Sequence, residues 1–329
     1  MPNPSSRQHP TISKICTLGV MLLLGLPTGA FAQPGTPPKP QIHIAFSSAV
    51  FAGINMTDAR NTIKALTVSL AREHDIPMDT DPIIYDNVGE ADHLLQSRLV
   101  SAVSMTTRDY WLLKQSVEFD QFLMTIRNKT PDEVYVLLTS KDSTINKLAD
   151  LKDKRLIIMT SPAMDLASVW LDVELAKNAL PQTAKLVAKI TEATKPAKVV
   201  LPVFFGQADA CLITRRSYAT MVELNPQVGR QLRIVATSPG YIPALFGFCA
   251  NLSPELTTKT IRAFSELHTS IVGRQTLTLF QTEEIVECPA TVFETSLALL
   301  DEHARLCPEA SAALISALQG QRQVPQPVP

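Results

Sequence analysis

The chain has 329 residues, 45% of them hydrophobic and 19% charged, with a formal net charge of −1. That length suggests about two domains, and the balance is ordinary for a soluble globular protein. It excludes the strongly basic surface by which nucleic acid or an anionic membrane is held.

Arg7 and Lys14 precede an apolar run at 15–26, and Ala30-Phe31-Ala32 follows a Pro-Thr-Gly break. A basic n-region, an h-region and an A-x-A site read as a Sec-type signal peptide over residues 1–32, cleaved after Ala32. The run is shorter than the ~20 residues that span a bilayer, and none later replaces it, so no stable membrane insertion is expected. Cleavage removes two basic residues and no acid, which leaves an exported, mildly acidic chain. It also leaves Cys211, Cys249, Cys288 and Cys307, which an oxidising compartment allows to pair in several ways. Cys288 and Cys307 flank a helical segment and are the favoured bridge. Cys211 and Cys249 sit in apolar strands, the usual setting of buried thiols.

Residues 33–40 (QPGTPPKP) form a Pro-rich, extended leader. A strand at 42–46 ends in Ser47-Ser48 and is followed by a helix at 57–74, with Ala59, Ile63, Leu66 and Leu70 on one face. Strands at 83–85 and 102–105 and helices at 90–98 and around Tyr110 continue the strand–helix alternation of a parallel sheet. Strands at 119–127 and 133–139 and a short helix at 144–151 lead to a second run. Its strands fall at 156–159, 184–190, 208–213 and 232–236, its helices at 164–178, 194–203, 214–223 and 226–230. A strand at 244–250 and a helix from Ser253-Pro254 to about 270 follow. Everything after Arg274 reads as helical up to a polar tail at 319–329 that should be disordered.

Within the second run, 155–177 combines a strand, the turn Thr160-Ser161-Pro162 and a helix, with Ser161 as N-cap and Pro162 at N1. Such a junction aims free backbone N–H groups at a crevice. Two α/β units joined by two strands imply that the second is inserted in the first. Ligands of open α/β sheets sit beyond the carboxyl ends of the strands, here between the units.

Three segments carry a family resemblance: residues 51–70 (FAGINMTDARNTIKALTVSL), 148–158 (LADLKDKRLII), and 206–210 (GQADA) with Tyr218. Ile242-Pro243 and Ser253-Pro254-Glu255-Leu256 also fit. In this order and spacing the chain resembles the PhnD-like periplasmic solute-binding proteins, receptors of phosphonate and phosphite ABC importers. The resemblance implies a class II periplasmic-binding-protein fold: α/β, two lobes with a ligand cleft, and two crossover strands. Lobe I would be 41–136 and 246–318, and lobe II 137–245. It implies a monomer that closes by hinge motion on a small, phosphonate-like anion and hands it to an ABC permease. A membrane sensor protein is the alternative partner, since both readouts use the closed form.

Carried over by position, the ligand-binding candidates are Ser47, Ser48, Phe51, Tyr85, Thr106 and Thr107 on the first lobe. On the second they are Thr160, Ser161 and Asp209, the last an acceptor for a ligand amine or hydroxyl. Where phosphonate binders carry Ser-Thr-Ser-Gly, this chain has Ser161-Pro162-Ala163-Met164 and then Asp165. Pro162 has no N–H to give, and Asp165 brings a negative charge. That favours a less charged or differently oriented ligand than a phosphonate dianion. No P-loop, G-x-G-x-x-G, G-x-S-x-G, H-E-x-x-H or C-x-x-C occurs. The chain is therefore read as a binding protein without catalytic residues, metal or cofactor.

Overall fold

The computed structural model describes residues 41–319; the expected signal peptide, the expected leader and the tail beyond 319 lie outside the described residues. The chain opens with β1 (Ile44–Ser47), α1 (Met56–Glu73), β2 (Ile83–Tyr85), α2 (Val88–Gln96), β3 (Ala102–Thr106), α3 (Thr107–Leu113) and β4 (Phe119–Ile126). All of β1 is buried, because helices cover both faces of its sheet. Ile44 and Phe46 join Ile63, Leu66 and Leu70 of α1 in one core, while Ala45 joins Val88, Ala91 and Leu95 of α2 in another. Helix α1 starts where the Asn55 side chain accepts from the backbone N–H groups of Thr57 and Asp58.

Next come β5 (Glu133–Ser140), β6 (Arg155–Met159), α4 (Ala167–Lys177), α5 (Thr183–Leu186), β7 (Lys189–Ala193) and α6 (Pro196–Phe204). They are followed by β8 (Ala210–Thr214), α7 (Arg215–Leu224), α8 (Pro226–Gln231) and β9 (Leu232–Tyr241). The last run is β10 (Ala244–Cys249), α9 (Pro254–Ser265), α10 (Ile271–Leu279), β11 (Glu284–Cys288), α11 (Glu294–Leu306) and α12 (Pro308–Gln319). Two sheets result, a six-stranded one in the order β11-β4-β10-β3-β1-β2 and a five-stranded one in the order β7-β6-β8-β5-β9. The chain passes between them at residues 127–132 and 242–243, so β5 and β10 each lie whole in one sheet. This two-lobed, mixed α/β arrangement is the expected fold class.

Five expectations need correction. Residues 284–288 form a strand, not helix: β11 pairs antiparallel with β4, Ile285 opposite Thr125 and Cys288 opposite Phe122. The strand expected at 184–190 begins later, because Thr183–Leu186 turns Leu186 into the second core and leaves the polar Lys189–Ala193 as the edge strand. The helix expected at 144–151 contracts to a 3-10 turn at Leu148–Leu151, and Ser161 with Pro162 heads a 3-10 turn at Pro162–Met164, with α4 starting only at Ala167. Finally, all four described cysteines are free thiols, so Cys288 and Cys307 form no bridge. Helix α11 lies between them and holds them roughly 20 Å apart, far beyond disulfide reach.

Helix α4 is buried on nearly every side, including Trp170, Leu171, Val173 and Leu175, because α11 covers the face that would otherwise meet water. Leu299 and Leu300 of α11 enter that same core. On its other flank α11 touches α3, where Trp111 Nε1 donates to Asp301 at 2.7 Å.

Candidate functional site

The strand registers bring the carboxyl ends of the first sheet level with one another. Ser47 lies beside Tyr85, and Thr106 beside Ala244 at the start of β10. Thr106 caps α3 by accepting from the Asp109 N–H at 3.1 Å, while the Asp109 carboxylate accepts from the Thr106 N–H at 3.2 Å. This capping box fixes Asp109 beneath Tyr85, whose hydroxyl donates to it at 3.4 Å. Burial, and then the nearby Asp165 charge, push the Asp109 carboxyl above its ordinary value, and the Ser47 hydroxyl works in the opposite direction. Tyr85 is likewise raised, first by burial and then by Asp109.

From the second lobe, the turn after β6 brings up Thr160, Ser161 and Asp165. Arg108, the residue after Thr107, reaches across to it. Its Nε donates to Asp165 Oδ1 at 2.8 Å, and Nη2 donates to the same oxygen. Burial is the largest influence on the Arg108 guanidinium and would lower it, but the Asp165 charge and hydrogen bonds, with the Asp109 charge, together outweigh burial and the pKa is raised. Beside this pair stands Tyr135 of β5, raised well above the tyrosine range by burial and by Asp165. Among the described residues, Tyr135 Oη, Ser161 Oγ and Asp165 Oδ2 are buried without a hydrogen-bond partner. Buried polar atoms are nearly always satisfied, so three neighbouring exceptions set this place apart.

Ser47, Tyr85, Thr106 and Ser161 thus come together with three residues that sequence reasoning missed as site members, Arg108, Asp109 and Tyr135. Asp165, noted above only as an obstacle, is at the centre. Arg108 and Asp109 directly follow the candidate pair Thr106-Thr107 and could have been read from that position. Tyr135 could not, since it sits inside an apolar strand. Ser48 and Thr160 flank the group, Ser48 half-buried at the head of a 3-10 turn and Thr160 with its N–H donated to the Ala193 carbonyl. The Thr107 hydroxyl donates to the Ile242 carbonyl, so it ties α3 to the crossover. Phe51 packs in the α1-side core, its ring tilted against that of Phe280 with 5.6 Å between the centroids.

Asp209 is not brought to this group. It precedes β8 at the amino ends of the strands and accepts from the Arg155 N–H at 2.7 Å and from its guanidinium at 3.0 Å. Those bonds from Arg155 hold its carboxyl below the ordinary value. The length of β6, roughly 15 Å, separates it from Thr160. Among the described residues no cluster of metal-ligating side chains occurs, and no helix is long and apolar enough to cross a membrane.

A profile of the family described as "ABC transporter, phosphonate, periplasmic substrate-binding protein" matches residues 50–291. No curated protein matches the chain. Among solved structures, a Xanthomonas citri protein bound to ATP is similar at 17% identity and a TM-score of 0.59, over 81% of this chain and 98% of its own. A binding-protein component of an ABC phosphonate transporter from Pseudomonas aeruginosa matches at 16% identity and 0.53, over 85% and 94%. PhnD from Prochlorococcus marinus, in complex with methylphosphonate, matches at 14% and 0.53, over 80% and 97%. At these identities the likeness speaks for the fold.

Proposed function

Because the chain belongs to the periplasmic substrate-binding proteins of phosphonate ABC transporters, we propose that it closes on a small phosphonate-like ligand between Ser47, Tyr85, Thr106, Arg108 and Asp109 on one lobe and Tyr135, Ser161 and Asp165 on the other. The observation that carries this reading is the trio of buried, unpartnered atoms Tyr135 Oη, Ser161 Oγ and Asp165 Oδ2 beside Arg108. Arg108 is a fork-shaped donor suited to an oxyanion. Asp165 and Asp109 are acceptors, so the ligand has a donor group besides its oxyanion. A zwitterion such as an aminoalkylphosphonate satisfies both kinds of partner; a simple dianion would face two carboxylates.

Closure would turn at residues 127–132 and 242–243, and the closed monomer would deliver its ligand to the ABC permease. The family favours delivery over signalling to a sensor. The same reading takes residues 1–32 as the export signal, which Edman sequencing of periplasmic protein tests by finding Gln33 first.

Thermal-shift and calorimetric titration with aminomethylphosphonate, methylphosphonate, phosphate and methanesulfonate test the site. Aminomethylphosphonate is expected to bind most tightly; at a hundred times its Kd a ligand adds about 2.7 kcal/mol of stability. Absence of any shift with all four compounds at millimolar concentration would sink the proposal.

A further inference from the structure

On the α1 side of the first sheet, opposite the Tyr85–Asp109 side, lies a cavity of about 120 Å³. Ile63 and Leu66 of α1, Phe246 of β10, Phe264 of α9, Leu277 of α10 and Phe280 after it form its walls, and Pro162 of the second lobe, next to Ser161, lines it where it meets the cleft. One guanidinium, that of Arg127, also lines it. Arg127 follows β4, whose last residue Ile126 pairs with Glu284, so it stands at the sheet end that faces the second lobe. Its Nη2 donates to the Phe280 carbonyl at 3.3 Å, and its Nη1 lies 3.9 Å from the Glu133 carboxylate. Arg216 claims the same carboxylate oxygen at 3.5 Å, so two guanidinium groups share one counter-charge. Among the described residues, Arg127 Nε is buried and has no hydrogen-bond partner.

An apolar chamber with one convergent charged donor is the usual form of a small-molecule pocket. Apolar cavities of this size stay dry and accept hydrocarbon guests. The surplus positive charge and the unused N–H call for an anion at the same end. We propose that this cavity is a second binding site, on the opposite face of the first sheet from Tyr85 and adjoining the polar cleft at Pro162, which takes the hydrocarbon chain of an amphiphilic anion with its carboxylate, phosphonate or sulfonate head at Arg127. Its occupant differs in kind from the small polar ligand of the cleft: affinity here comes from the length of the chain, not from the head alone.

Calorimetric titration of the mature protein with butyrate, hexanoate and octanoate tests this. Affinity is expected to rise about fourfold for each CH2 that enters the cavity, about 250-fold if all four that octanoate adds to butyrate do so. Arg127→Gln should weaken octanoate about tenfold and leave 1-octanol little changed, because only the charged head meets the guanidinium. Leu277→Trp, which fills the chamber, should abolish binding of both, with circular dichroism reporting whether it folds. Octyl phosphonate and octanesulfonate, titrated alongside octanoate, identify the preferred head. Tyr85→Phe, on the other face of the sheet, should leave octanoate binding intact and so separates this site from the cleft. The proposal is overturned by affinity that does not depend on chain length in the unaltered protein. Octanoate binding lost in Tyr85→Phe but retained in Arg127→Gln would overturn it equally, by placing the amphiphile in the cleft.

Discussion

Arg108 and Asp165, one from each lobe, share a hydrogen-bonded ion pair of 2.8 Å in which the aspartate side chain is only 4% exposed. The chain thus supplies its own anion to the guanidinium best placed to hold a ligand's. Breaking a buried pair on one side strands the other charge, so Arg108→Ala should cost about 3–5 kcal/mol of stability. Adding Asp165→Ala to it should restore most of that loss. Urea unfolding of the two single variants and the double variant measures the coupling; additive losses would show that the pair contributes nothing.

The same pair sets ligand charge. Asp165→Asn leaves the shape of the pocket unchanged and frees the Arg108 guanidinium. Affinity for methylphosphonate should rise about tenfold or more, and preference for aminomethylphosphonate should fall. Calorimetry on the variant checks both; an unchanged order of ligands would place the amine away from Asp165.

Asp209 gives the contrasting case. Its bonds to Arg155 hold the amino ends of β6 and β8 together, in a partly exposed setting where ion pairs contribute little. Asp209→Ala should lower stability by about 1 kcal/mol, from the lost bond to the Arg155 N–H, and leave ligand affinity within about twofold. A large loss of affinity at unchanged stability would return Asp209 to the site.

A pH dependence follows from Asp172 on α4. Burial would raise its carboxyl, but the His303 ring, 3.9 Å away, and two hydrogen bonds from Thr183 together outweigh burial and hold it below the ordinary value. Both the N–H and the hydroxyl of Thr183 donate to it, at 2.8 and 2.6 Å. A carboxyl depressed in the folded state contributes stability above its unfolded pKa, about 3.9, and loses it as pH falls through the folded value. The urea midpoint should therefore drop between about pH 5 and pH 3, and drop less in Asp172→Asn. Equal acid sensitivity in both proteins would assign the loss to other carboxylates.

Much of the fold was legible because local signals agreed with tertiary packing. The face Ala59, Ile63, Leu66 and Leu70 marks α1, and the apolar runs of β1 and β6 fit strands covered on both sides. The misread segments are those whose state depends on distant partners. Glu284–Cys288 becomes a strand by pairing with β4. Leu166, Val169, Trp170 and Val173 are spaced as one apolar helical face, but α11 arrives to bury the other sides of α4 as well. In the proposed site, strand-end position is enough to bring Ser47, Tyr85, Thr106 and Ser161 together. It could not say that Asp209 stands at the wrong end of its strand, nor that Arg108 would find Asp165, because both depend on which side chains face each other across the fold.

Helix α11 constrains how the protein can move. Phe293, just before it, is anchored in the core of the first sheet, while Leu299 and Leu300 are embedded in that of the second. Lys177 of α4 adds an ion pair to Glu302 at 2.9 Å. A rod packed along both lobes opposes their separation, so a wide gape at the crossovers would have to break one set of these contacts. The working stroke should be short, and the radius of gyration in small-angle scattering should change little when ligand binds.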